Sequence, residues 1–345
     1  MKAMMITEPG EAHVTELERP EIRADEVLVR SRVVGLCESD VELYQGKRAD
    51  GYFRYPIIPG HEWSGEVVAV GELVPDILPG ARVVVESLRF CSSCRNCRAG
   101  ATNLCERGYD ELGFTSPGGL AEYVAVPARL VHVLPDHVSF EEAALLAPVA
   151  VVAHAFLRAQ LRPGGVVAII GDGPSSLLAV QIARLYSPAI IIVLGFRAER
   201  LQLAEQYGAT HTINMSREDS QAVMKEIVGE GGVDLIFEGT GHVQAVEEAL
   251  SDIRRGGTVL LTGLEASITP LGFASNLFVL NQITVQGIFG ANAAAWDYTL
   301  QLLKNGSLQL TSLISHRFSI DEYDSALDAL ILRHNRAVKV IMVHS

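Results

Sequence analysis

Two rhythms of apolar and polar positions divide the chain. Up to about residue 150 the apolar residues come in short β-type runs, VLVRSRVVGL, YPIIPG, GEVVAVG and ARVVVES, cut apart by Pro and Gly. That texture predicts an irregular, mostly antiparallel β domain. From Leu161 the pattern changes. RPGGVVAIIG is a β-branched run ending in glycine, and PSSLLAVQIARLYS follows with helical apolar spacing. AIIIVLG, RAERLQLAEQYGA, VDLIFEG, VQAVEEALSDI and GGTVLLTG continue the alternation. Strands alternating with helices of this length predict right-handed βαβ units and a parallel sheet. From about residue 292 the character is mixed again, with a helix over AAAWDYTLQLLKNG and a closing strand, VKVIMVH. The fold class expected is therefore α/β, a β domain beside a doubly wound parallel sheet. No repeat at a solenoid period and no low-complexity tract interrupts it.

Composition narrows the function. A chain of 345 residues has room for two domains and a core that needs no disulfides. With 48% hydrophobic and 20% charged residues it reads as soluble and globular. The net charge of −13 argues against nucleic acid or an anionic membrane as a partner, so any anionic ligand depends on local cations. MKAMMITEPG has no signal-peptide core, and AALLAPVAVVAHAFL, broken by Pro148 and His154, suits a buried helix better than a membrane span. A cytoplasmic location is the expectation, and in a reducing cytosol clustered cysteines point to metal rather than disulfides.

Four of the five cysteines, Cys91, Cys94, Cys97 and Cys105, fall in CSSCRNCRAGATNLC with the spacing C-x2-C-x2-C-x7-C. Four thiolates close a tetrahedral shell around zinc and leave no open position, so the cluster reads as a structural staple. Iron–sulfur ligation also uses four thiolates, and two disulfides are the plain alternative. Cys37 stands apart in GLCESD, and His61 and Glu62 follow in GHEWSGEV. That spacing alone is weak, because a lone cysteine is usually a small buried hydrophobe.

GLCESD, PGHEWSGEVVAVG, the four-cysteine loop and GGLAEYVAVP occur in that order. Together they resemble the zinc-dependent medium-chain alcohol dehydrogenases, especially the sorbitol and threonine dehydrogenase branch, over nearly the whole chain. The resemblance implies a GroES-like catalytic domain over residues 1–152, a Rossmann domain over 153–290 and a segment 291–345 that completes the catalytic domain. It implies two zinc ions per chain: a structural one on the four-cysteine lobe and a catalytic one on Cys37, His61 and Glu62, with a position left for water or substrate. Ser39 matches the family hydroxyl that passes the alcohol proton onward. Asp40 matches the acid that orients the histidine ligand. For these small polar residues, turn or cap chemistry is the plain alternative.

Two positions depart from the family. Where relatives place another acid or cysteine just before a proline, EEAALLAPVAVVAHAF puts Ala147, which cannot bind metal. If Glu62 coordinates, Cys37, His61, Glu62 and water still make four; if it only supports the site, two protein ligands remain and zinc would be weakly held. Glu42 stands where many relatives have a relay histidine; a carboxylate can serve the relay, or it is a solvated charge. His154 is expected to be a packed helix residue rather than a ligand.

The cofactor signal begins at GDGPSSLL, after the strand GGVVAII and at the start of a helix. Gly171 permits the tight turn, Gly173 lets the backbone approach a pyrophosphate, and Ser176 replaces the third glycine. Asp172, Pro174 and Ser175 share this loop. At the end of the next strand an NAD enzyme wants an acid, yet here stands Gly195, followed by Phe196 and Arg197. A glycine leaves room for a 2′-phosphate and Arg197 supplies a bidentate cation, with Arg200 as a second contact. NADP(H) is therefore favoured over NAD(H), although both arginines also read as solvated helix-start charges. By resemblance, the strand-end turns carrying Thr240, Gly263, Leu264 and Phe289 line the nicotinamide side.

The expected function is a zinc-dependent oxidoreductase moving a hydride between NADP(H) and a secondary alcohol or polyol and its ketone. YPIIPGHEWSG with DELGFTSPGGLAEYVAVP also resembles aminocyclitol and inositol-type dehydrogenases, so a cyclitol is one candidate substrate. Loops near Tyr44, Phe53, Tyr55 and Phe114 would shape its pocket. The rival from another class is a non-catalytic NADPH-binding protein that keeps only structural zinc. A zinc-free quinone or enoyl reductase would not need Cys37, His61 and the four-cysteine loop together. A homodimer or homotetramer is expected, with ITVQGIFG as a pairing edge.

Overall fold

The computed structural model describes residues 1–264, 270–332 and 337–344. Its chain divides into two units, residues 1–148 with 299–345, and residues 149–298. The first is built on a seven-stranded sheet whose central member is the long strand Glu26–Leu36. Glu62–Val70 pairs antiparallel along one edge of that strand. Tyr123–Pro127 and Lys339–Val343 share the other edge, the first near its start and the second near its end. Trp63, Val29, Val34, Val67 and Val340 lie in the core that the β-branched runs create.

Register matters here, because it brings distant residues to one point. Val340 pairs with Leu36 and Gly35 pairs with Glu62. The residue before Val340 and the residue after Leu36 thus meet where the Glu62 strand begins.

The second unit holds a six-stranded parallel sheet. Its order across the sheet is His211–Asn214, Ile190–Gly195, Val166–Ile170, Val233–Glu238, Ile253–Leu261, Thr284–Gly287. Counted along the chain this is 3-2-1-4-5-6, the dinucleotide-binding order, with the strand sequence reversing between Val166–Ile170 and Val233–Glu238. The antiparallel and parallel expectations for the two halves both hold. Among the described residues no helix is long and apolar enough to cross a membrane.

Candidate active site

Cys37 follows the long strand and caps the helix Glu38–Tyr44. Its sulfur accepts from the Ser39 amide at 3.3 Å. Asp40, fully buried, accepts from the Cys37 amide at 2.9 Å and faces His61 Nδ1 at 3.4 Å through its other oxygen. That arrangement turns His61 Nε2 toward Cys37 Sγ, 3.4 Å away, with Glu62 Oε1 at 3.8 Å. A tetrahedral zinc spaces neighbouring sulfur, nitrogen and oxygen ligands about 3.5 Å apart. The thiol, imidazole and carboxylate therefore fit one zinc ion by chemistry and by spacing, their ligand atoms lying within 4.8 Å of one another. The ring of Phe114 packs on His61, with centroids 4.6 Å apart.

One neighbour was not foreseen from the sequence. Lys339, almost wholly buried, donates to Glu62 Oε2 from the start of the last strand. Gly35 makes the room: a methyl there would sit 2.5 Å from Glu62 Oε2 and 3.1 Å from Lys339 Cε. Burial presses the lysine toward its neutral form, but the Glu62 and Cys37 charges outweigh that and raise its pKa. Burial likewise opposes protonation of His61, yet Asp40 and Cys37 hold its pKa well above the ordinary value. For Asp40 burial favours the neutral acid, and His61 overcomes it and lowers the pKa.

Ser39 and Glu42 are three residues apart on the same short helix, so they share a face. Glu42 is half-buried, which raises its pKa, and its nearest cation is Arg48 at 4.0 Å. Arg48 lies 3.7 Å over the Phe114 ring and donates to Tyr109 Oη at 3.2 Å. Tyr44 and Tyr55 spend their hydroxyls on the backbone of Gly10 and Leu43. Ala147 lies in the first turn of the helix Leu146–Arg158. Further along it, buried His154 donates from Nδ1 to Gly290 O at 2.9 Å, and its burial lowers its pKa.

The sulfurs of Cys91, Cys94, Cys97 and Cys105 also lie within 4.8 Å of one another, and all four are unbridged. Backbone amides point at them: Cys94 N at Cys91 Sγ (3.3 Å), Cys97 N and Glu106 N at Cys94 Sγ (3.4 and 3.5 Å). Such bonds suit thiolates. The hydroxyl and amide of Ser93 bring the Cys91 thiol down to about 5, while burial pushes Cys97 up to about 12. This donor set also fits zinc.

In the second unit, Gly171 has φ +114, the left-handed turn expected of the first motif glycine. A methyl on Gly173 would meet nothing within 4 Å, which leaves the backbone open to an approaching pyrophosphate. Pro174 and Ser175 open the helix Pro174–Arg184. Ser176 Oγ would lie 2.8 Å from a methyl on Gly171 and 2.7 Å from one on Gly239, so only a small residue fits between those strands. Asp172 turns back to the second strand end. Its Oδ2 accepts from the amides of Phe196 (2.8 Å) and Arg197 (2.9 Å), and its Oδ1 meets Arg197 Nη1 (2.6 Å) and Arg200 Nη1 (3.4 Å). Thr240 and Gly241 are held by Glu238, a wholly buried carboxylate that accepts from Thr240 N at 2.7 Å and Gly241 N at 3.1 Å. Gly263 packs against Thr240 and Gly241, while Leu264, Phe196 and Phe289 are exposed. Open glycines, a helix N-terminus and clustered arginines together fit a dinucleotide.

Comparison with known proteins decides the family. Residues 23–136 match the alcohol dehydrogenase GroES-like domain and residues 174–305 match the zinc-binding dehydrogenase family. The chain belongs to the zinc-dependent medium-chain dehydrogenases, in the sorbitol and threonine dehydrogenase branch. A sorbitol dehydrogenase of Bacillus subtilis is 34% identical over 99% of this chain and 97% of its own. A zinc-binding dehydrogenase from Sinorhizobium meliloti, solved with NADP, superposes with a TM-score of 0.90 at 29% identity over 99% of each chain. An Escherichia coli alcohol dehydrogenase complexed with NADH gives a TM-score of 0.92 at 27% identity, covering 100% of this chain and 99% of its own. Membership in this family makes the protein an alcohol or polyol dehydrogenase.

Proposed function

We propose that this medium-chain dehydrogenase uses NADP(H) to interconvert a secondary alcohol, of the polyol or cyclitol type, and its ketone. The observation that carries the reading is the convergence of Cys37, His61 and Glu62 at one point with Asp40 behind the imidazole. When bound there, zinc would supply a Lewis acid for the alcohol oxygen, and the nicotinamide would supply the hydride acceptor. Asp40 fixes the His61 ring so that Nε2 faces the metal position. Lys339 donates to the Glu62 carboxylate from a buried place and holds it beside Cys37 and His61. Ser39 takes the alcohol proton and Glu42, on the same helix face, passes it to solvent; the raised pKa of Glu42 suits a proton carrier. Cys91, Cys94, Cys97 and Cys105 hold the second, structural zinc.

NADP(H) over NAD(H) rests on Gly195, Arg197 and Arg200 at the second strand end. The edge strand Thr284–Gly287, with Val285 exposed, supports pairing of two chains through their parallel sheets. Five unbridged cysteines suit a reducing compartment such as the cytoplasm.

The test is a screen of secondary alcohols, sugar alcohols, cyclitols and aminocyclitols with NADP and NAD, run on wild type, Cys37→Ser and Ser39→Ala. The reading predicts NADP-linked turnover that Cys37→Ser abolishes. Ser39→Ala should lower kcat by about 10²-fold or more with zinc content unchanged. Cofactor binding with no oxidation of any alcohol would instead favour a non-catalytic NADPH-binding protein.

A further inference from the structure

Asp172 stands in the glycine-rich loop, and nothing about pyrophosphate binding requires a carboxylate there. Yet its side chain is one of the most heavily bonded in the second unit. One oxygen takes the amides of Phe196 and Arg197 at the N-terminal end of the helix Ala198–Tyr207. The other gathers the guanidiniums of Arg197 and Arg200. Gly195 is shaped to it: a methyl at 195 would lie 2.7 Å from Asp172 Cβ and 3.0 Å from Oδ2. The glycine that leaves the strand end without an acid is thus the glycine that admits an acid from the neighbouring loop.

The charges do not cancel. Two guanidiniums and two backbone N–H groups converge on a single carboxylate, which leaves the group cationic. Without Asp172 the two arginines would repel each other and spread into water, and gathering them on a ligand would cost side-chain entropy. With it, both guanidiniums are already gathered on one carboxylate before any ligand arrives. A dianionic phosphate is the ligand chemistry such a pair takes.

We propose that Asp172 is a positioning residue for cofactor choice, holding Arg197 and Arg200 together as one clamp for the 2′-phosphate of NADP(H). This rests on the NADP(H) reading above and gives it a mechanism particular to this chain. Asp172 acts through the arginines rather than on the phosphate.

The experiment is equilibrium titration of the zinc-loaded protein with NADPH and NADH, followed by nicotinamide fluorescence and without turnover. Wild type, Asp172→Asn, Arg197→Ala and the double variant are compared, each with a thermal melt. Asparagine retains an oxygen for the two backbone amides but not the charge that gathers the arginines. If it does not fold, Asp172→Ser takes its place. The expected result is a loss of NADPH affinity of about tenfold in Asp172→Asn, with NADH affinity within about twofold of wild type. Adding Asp172→Asn to Arg197→Ala should then have much less effect than in wild type, because the two act as a unit. If wild type prefers NADPH and Arg197→Ala loses that preference, but Asp172→Asn keeps or increases it, the proposal is overturned and the NADP(H) reading stands. A wild type with no preference for NADPH, unchanged by Arg197→Ala, removes the reading and the proposal with it.

Discussion

Lys339 and Glu62, 277 residues apart in sequence, form a buried ion pair at the point where three strands of the first sheet converge. The pair gives a carboxylate beside Cys37 and His61 a cationic partner away from water. A buried ion pair gains little over an apolar substitute, but breaking one leaves an uncompensated charge.

Lys339→Met should therefore destabilise the zinc-free protein by about 3–5 kcal/mol. Zinc held by Cys37, His61 and Glu62 would supply a counter-charge for Glu62, so the loss should shrink when zinc is bound. Chemical denaturation with and without zinc checks this. An equal loss in both forms would mean that Glu62 does not reach the metal.

Zinc uptake at the Cys37–His61–Glu62 site should release protons. The His61 pKa is raised in the folded, metal-free protein, so its pairing with Asp40 contributes fully below about pH 6.5 and is lost as pH rises through the raised value. Zinc requires the neutral imidazole, so binding displaces that proton near neutral pH. Calorimetry in two buffers of different ionisation heat should show at least one proton released per zinc, with affinity that climbs as pH rises. Buffer-independent heats would contradict the arrangement.

Gly195→Ala tests the cofactor side by packing alone. The added methyl meets Asp172 Cβ at 2.7 Å and Leu201 Cδ2 at 3.1 Å. It should destabilise the protein by about 1–3 kcal/mol and weaken NADPH binding as it displaces Asp172 from Arg197. A melting temperature and an NADPH affinity equal to wild type would show that the loop accommodates it freely.

Much of this was legible in the sequence because its signals are local. Alternating strands and helices give the parallel sheet, and Gly171, Gly173 and Ser176 mark the turn that ends its first strand. Short spacings mark the cysteine lobe, and the motifs around Cys37 and His61 mark the other candidate site. What escaped depends on pairing between distant segments. VKVIMVH reads as a buried strand, but only its register beside Leu36 turns Lys339 toward Glu62. Gly35 reads as an ordinary strand glycine until Glu62 and Lys339 are seen to fill the space a side chain would take. Asp172 was visible as a loop residue, whereas its capture of Arg197 and Arg200 depends on how two neighbouring strands end. Glu238, which holds Thr240 and Gly241, gave one signal that could have been used: an acid closing the apolar run LIF. Arg48, lying over Phe114, gave none.

In the proposed second zinc site Glu62 completes the ligand set, because Ala147 offers no ligand. The most direct test is zinc per chain by elemental analysis, on wild type and Glu62→Ala purified side by side without chelator or added metal. Two zinc ions per chain are expected in wild type, one on each cluster, and one in the variant. One zinc per chain in wild type, or two in both proteins, would contradict that ligand set.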